Sequence, residues 1–193
     1  MKRIIALLLP CLLLLGGCGG KRGAAADIQA QYSRVAAAQM EAEVVFHTQQ
    51  EDRSFTLQCA FAPEQSTVTV TAPETVAGVA AVVSGEELSI AYDGAVLSAG
   101  KTGDIGPVNS LPWLLRAIAN GYLLEEGRET LEGVDCYRLA LDTEGASGVP
   151  VTCTAWIDAE TLLPRYAEFS VNGAVVVSAK LLAFSCTLNE PEN

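Results

Sequence analysis

The sequence predicts a mainly β protein with two helices, an α+β chain whose sheet is antiparallel. Three observations carry that expectation. Apolar residues recur with period two through most of the chain, and the period changes to that of a helix in only two places. Asp93-Gly94 and Asn172-Gly173 are two-residue turn signals that join such runs directly. The order is helix, strands, helix, strands, without the β-α-β alternation that a parallel sheet requires.

In chain order, Asp27 is an expected N-cap for a helix over Ile28–Gln39, with Ile28, Tyr32, Val35 and Ala36 on one face. From Met40 the pattern alternates. Met40, Ala42, Val44 and Phe46 share one face, and Phe55, Leu57, Cys59 and Phe61 repeat the alternation. Val68 and Val70 follow between Pro63 and Pro73, and the run Val76–Val83 is apolar on both faces. Asp93-Gly94 sets Tyr92 opposite Ala95, Ile90 opposite Leu97 and Leu88 opposite Ala99. Ser110 is an expected N-cap for the second helix, with Pro112 in its first turn and Gly121 as its stop. Leu111, Leu114, Leu115 and Ile118 form its apolar stripe. Strands are expected near 122–130, 134–142, 150–158, 165–171 and 174–186, with Val171 opposite Ala174 and Phe169 opposite Val176 across Asn172-Gly173. About ten or eleven strands result, in one domain over 27–193.

The N-terminus carries an address. Lys2 and Arg3 precede an apolar run, Ile4–Leu15, broken only by Pro10 and too short to cross a hydrocarbon core of about 30 Å as a helix. It reads as the signal peptide of an exported chain, residues 1–17. Leu15-Gly16-Gly17-Cys18 resembles the bacterial lipobox. The resemblance implies cleavage before Cys18 and a diacylglyceryl thioether on its sulfur, an anchor strong enough to hold the protein at the membrane. Residues 18–26 then serve as a short flexible tether.

Composition narrows the partners. The chain has 193 residues with 12 Lys+Arg against 23 Asp+Glu and a net charge of −11, which excludes a nucleic-acid partner. Its single histidine, His47, falls on the polar side of a strand, and no G-x-S-x-G accompanies it. No HExxH, CxxC or His/Cys cluster suggests a metal, and no Gly-rich strand-to-helix loop suggests a phosphate-bearing cofactor. Glu86-Glu87 and Glu125-Glu126 read as solvated turn acids rather than a carboxylate pair. No enzyme chemistry is therefore expected. Cys59, Cys136, Cys153 and Cys186 remain in the exported body. If Tyr137, Leu139 and Leu141 share a face with Val151, Cys153, Ala155 and Ile157, Cys136 points away from Cys153 and the thiols stay free.

The segment Trp156-Ile157-Asp158-Ala159-Glu160-Thr161-Leu162-Leu163-Pro164, with the order of elements, resembles the LolA/LppX-like lipoprotein-carrier superfamily. The resemblance implies a strongly curved antiparallel half-barrel with a helix on its concave face. It implies non-covalent binding of an apolar lipid or acyl ligand, or a lipoprotein, in that cavity. The inward positions that would meet it are Ala42, Val68, Val70, Ile90 and Leu97 from the sheet, with Leu111, Leu114, Leu115 and Ile118 from the helix. Lipidated members of the same kind include germination lipoproteins that bind a cell-wall amidase, so docking of a cell-envelope protein through an open sheet edge is the alternative. Either reading places the chain outside the cytoplasm on a lipid anchor. Cys18→Ser is expected to abolish cleavage and to release the protein from the membrane fraction, which fractionation and intact-mass measurement check.

Overall fold

The computed structural model describes residues 23–85, 87–101, 103–145 and 148–190. The signal peptide, the lipobox and Cys18 lie outside the described residues. Among the described residues, two α-helices, α1 (Ala24–Tyr32) and α2 (Pro107–Asn120), and a short 3-10 turn at Glu74–Val76 accompany eleven strands. Strands β1 (Val35–Phe46), β2 (Arg53–Phe61), β3 (Gln65–Ala72), β4 (Ala80–Ser84), β5 (Glu87–Tyr92) and β6 (Ala95–Lys101) precede α2. After it come β7 (Tyr122–Leu131), β8 (Val134–Glu144), β9 (Pro150–Asp158), β10 (Pro164–Val171) and β11 (Ala174–Leu188).

All eleven strands form one antiparallel sheet in the order β6-β5-β4-β3-β2-β1-β11-β10-β9-β8-β7. Every pairing is between sequence neighbours except β1 with β11, which closes the two halves at the centre. The chain therefore runs out to one edge at β6 and restarts at the other edge at β7. Laid flat, those edges would stand about 48 Å apart, at about 4.8 Å per strand. The connection is α2, a 14-residue helix about 21 Å long, and a short lead of at most about 20 Å at full stretch. The link is shorter than the flat distance, so the sheet has to bend around the helix. This is the half-barrel, with α2 lying across its concave face.

Local chemistry sets the turns. Asp93 and Gly94 (φ 47° and 78°), Asn172 and Gly173 (52° and 78°) and Glu132 and Gly133 (49° and 82°) are paired left-handed positions, as primed hairpin turns demand. The first two were expected; the third joins β7 to β8. Tyr92 faces Ala95, Ile90 faces Leu97 and Val171 faces Ala174 as the turns predict. Farther out, bulges shift the register. Leu88 meets Gly100 rather than Ala99, and Phe169 meets Val177 rather than Val176.

Both helices differ from the sequence expectation at their ends. α1 begins at Ala24, so Ala24–Ala26 are helical rather than tether, and Asp27 sits in the first turn instead of capping it. It stops at Tyr32, not Gln39. The alanines at 36–38 favour helix on their own, but β11 and β2 flank this stretch and recruit it into the central strand. α2 starts four residues early. Gly106 is its N-cap, Pro107 occupies the first helical position, and Asn109 Oδ1 accepts the Gly106 N–H at 2.8 Å. Ser110 is inside the helix, and Pro112 falls in the second turn, where it forgoes one helical hydrogen bond. Gly121 ends α2 in tight quarters: a Cβ there would lie 2.6 Å from the Ala117 carbonyl oxygen and 3.0 Å from Leu141 Cβ. Gln29 Nε2 donates to the Gly121 carbonyl at 2.8 Å, which ties α1 to the end of α2.

The core fills the concavity. Leu111, Leu114, Leu115 and Ile118 are buried against Met40, Ala42, Val44, Leu57, Val68, Leu139, Cys153 and Phe169. Leu115→Ala is expected to cost about 2–5 kcal/mol of stability by leaving a cavity at this contact, measured by chemical denaturation against the parent.

Candidate functional site

The sheet positions sort the expected ligand contacts. Ala42, Val68 and Val70, with the whole Leu111/Leu114/Leu115/Ile118 stripe, belong to the packed core, and none of them borders open space. The helix occupies the place where these residues were expected to meet a ligand. Ile90 and Leu97 depart in the other direction. Their register with Ala81 and Val68 puts them on the concave face, but outside the packed core, Ile90 half-buried and Leu97 exposed. Leu97 is on the expected face but 70% exposed, so it stands open to solvent rather than enclosed.

Open space lies beside the helix instead. A cavity of about 990 Å³ separates the two wings of the half-barrel. One wall comes from Val83 and Gly85 at the end of β4, and the other from Asp142, Thr143, Glu144, Gly145 and Pro150 at the β8–β9 end. Its floor is a second face of α2, formed by Asn109, Trp113, Arg116, Ala117 and Asn120. These positions recur at helical spacing and lie beside the apolar stripe, which the sequence reading singled out in their place. Trp113 is held rigid: its indole N–H donates to Thr143 Oγ1 at 2.9 Å, and that hydroxyl donates to the Val151 carbonyl at 2.8 Å.

Arg116 is half-buried in this floor. Burial lowers its pKa from the ordinary guanidinium value, with the nearby Cys59 thiol acting in the opposite sense, and the group remains a cation. Burial pushes the Cys59 thiol up to about 12, and Cys153 is raised by the same cause. Cys59, Cys136, Cys153 and Cys186 are free. The register shows why the strand pair does not bridge: Cys153 faces Leu141, whereas Cys136 faces Asp158 on the opposite side of the sheet.

On the convex face the structure joins residues distant in sequence. His47 Nε2 lies 3.1 Å from Ser178 Oγ, and His47 Nδ1 lies 3.1 Å from Asp52 Oδ2. Serine, histidine and aspartate thus stand in the order of a nucleophile relay. The setting is that of a clasp. Ser178 is 6% exposed, with β1 and β10 on either side and Glu168 directly opposite. Strand N–H groups lie in the sheet plane, so none is aimed at an oxyanion above the hydroxyl. The relay fastens the β1–β2 loop, where Thr48 Oγ1 also accepts the Glu51 N–H at 3.1 Å, to β11. Glu125 and Glu126, expected in a turn, are in β7. Arg138 pairs with Glu125 at 3.1 Å, and Glu129 accepts the Trp156 indole N–H at 3.0 Å. Among the described residues, no cluster of His, Cys, Asp and Glu is arranged to hold a metal ion, and no helix is long and apolar enough to cross a membrane.

The Trp156–Pro164 turn is built on Asp158. Its Oδ1 accepts the N–H groups of Glu160 and Thr161, both at 2.9 Å, and Leu162 takes a left-handed φ of 58°. The motif shapes backbone and faces away from the cavity.

No protein-family model matches the chain, and no curated protein is similar to it. Solved structures are similar. An uncharacterized conserved protein from Thermus thermophilus superposes at a TM-score of 0.50 and 12% identity, over 86% of this chain and 90% of that one. The lipoprotein LppX of Mycobacterium tuberculosis gives 0.44 and 13%, over 88% and 96%. The CwlD amidase–GerS lipoprotein complex of Clostridioides difficile gives 0.37 and 18%, over 84% and 93%. The likeness is one of fold. The observed fold, one antiparallel sheet bent around a helix, is the one that the resemblance of the Trp156–Pro164 turn and the order of elements implied.

Backbone hydrogen bonds, the Thr161 N–H first, hold the Asp158 carboxyl below its ordinary value. Its stabilising contribution is therefore complete above the ordinary carboxylate range and is lost as pH falls through the depressed folded-state value. Asp158→Ala is expected to cost about 1–2 kcal/mol at neutral pH. The gap from the parent should narrow below about pH 4, as denaturation curves across pH would show.

Proposed function

We propose that the chain is an extracytoplasmic binding lipoprotein. Diacylglyceryl on Cys18 holds it at the membrane, and the cleft between its wings takes an apolar or amphipathic ligand without chemistry. The observation that supports this reading is the open cavity of about 990 Å³, roomy enough for a ligand of drug size or larger. Its walls offer the Trp113 ring, Val83, Tyr122 and Pro150 as apolar contacts, with a few polar groups to orient the ligand. The cavity adjoins the uncovered apolar surface of β5 and β6, which extends the space available to a chain.

One observation favours a second reading, docking of a cell-envelope protein. β6 is an edge strand exposed along its length, with Val96 66% and Leu97 70% exposed on opposite faces. Such an edge accepts an added strand.

Native mass spectrometry of the protein from its own membranes tests the first reading. A ligand-sized adduct is expected, with lower occupancy in Asn120→Trp, which fills the cleft from its rim. Absence of any adduct, together with a protein co-purifying in equal amount and lost on Val96→Pro, overturns it in favour of the edge.

A further inference from the structure

We propose that the cleft recognises an anionic head group, a carboxylate or phosphate ester carried on an apolar chain, and that Arg116 is the residue that binds it. The proposal rests on the cleft being the binding site, and it names the class of ligand.

Arg53, Arg128, Arg138 and Arg165 each have a carboxylate at 2.5–3.7 Å. Arg34 and Arg116 have none among the described residues, although the chain carries 23 Asp+Glu against 12 Lys+Arg, and of these two it is Arg116 that lines the cavity. A half-buried guanidinium has already lost part of its hydration, and in a protein so rich in acids a partner would be easy to supply. Here the partner position opens into the cavity. The planar fork of the guanidinium matches the two oxygens of a carboxylate or phosphate, and partial burial strengthens that pairing.

The rest of the cleft gives the ligand a direction. Asp142 and Glu144 line the facing wall and repel an anion there, which confines the head group to the Arg116 side. Trp113 shares the helix face with Arg116, and its Thr143 bond keeps the ring in place. Val83 leads from the cavity to Leu88 and Ile90, its neighbours on the concave face of the wing. A head group on Arg116 thereby leaves its chain an apolar course over β4 and β5.

Isothermal calorimetry on the purified full-length protein in phosphatidylcholine nanodiscs separates head from tail. The probes are octyl phosphate, octanoate, neutral octanamide and inorganic phosphate. The two octyl anions are expected to bind about tenfold or more tightly than octanamide. Arg116→Gln should lower them to the octanamide level while leaving octanamide unchanged, and Arg116→Lys should restore part of the loss. Circular dichroism and a denaturation midpoint like the parent's confirm that the variants are folded. Octyl compounds that bind alike whatever their charge, untouched by Arg116→Gln, overturn the head-group assignment and leave the cleft as a ligand site. Inorganic phosphate that binds as well as octyl phosphate and is lost in Arg116→Gln supports the anion site, assigns it to a free anion and overturns the apolar-chain half of the proposal. No binding of any probe overturns both the assignment and the cleft reading.

Discussion

Much of this structure follows from the packing of one amphipathic helix into the hollow of one sheet. Helix α2 is at once the link between the two sheet edges and the filling of the concave face. The link is too short for a flat sheet, and the apolar stripe has to be buried. The two demands have one solution, a sheet bent around the helix. The long-range pairing of β1 with β11 is the other half of that solution, because it joins halves whose outer edges the helix already ties together.

The same packing decides where a ligand can go. A helix that buries Leu111, Leu114, Leu115 and Ile118 leaves no space beneath it. It has another face, however, and the wings of the half-barrel do not close over that face. Trp113 and Arg116 there are half-buried, and Asn120 is exposed at the rim. The proposed binding face and the stabilising stripe are thus separate on one helix. The stripe holds the fold and the neighbouring face lines the cleft, so changes at the cleft need not unpack the core.

Local signals were legible in the sequence, and long-range ones were not. Asp93-Gly94 and Asn172-Gly173 specify their turns through left-handed backbone positions, which few other residue pairs adopt, so the pairings next to them could be read directly. A bulge leaves no such mark, and the registers drift one residue beyond each. The stretch 36–38 reads as helix by propensity and becomes strand because two partners are available to it. His47 gave no hint of Ser178, which is 131 residues away and reaches it only through the β1–β11 pairing. The half-barrel architecture was visible in the order of elements and in one turn. The cleft was not, because it depends on how far β4 and β8 stand apart once the sheet has curved.

A strongly acidic body and a cationic cleft floor are compatible because they act over different distances. The net charge of −11 is felt at long range, where salt screens it beyond about 8 Å. A charge of that sign is repelled by an anionic membrane surface, and the proposed anchor on Cys18 is what would hold the body near one. Arg116 acts at contact range in a partly desolvated place, where screening is weak and geometry decides. An anion that reaches it leaves water for a fixed fork of donors, whereas an anion elsewhere on the surface meets carboxylates. On the proposed reading, the acidity of the whole would sharpen the selectivity of the Arg116 site, and the curvature imposed by α2 is what puts that site between two walls.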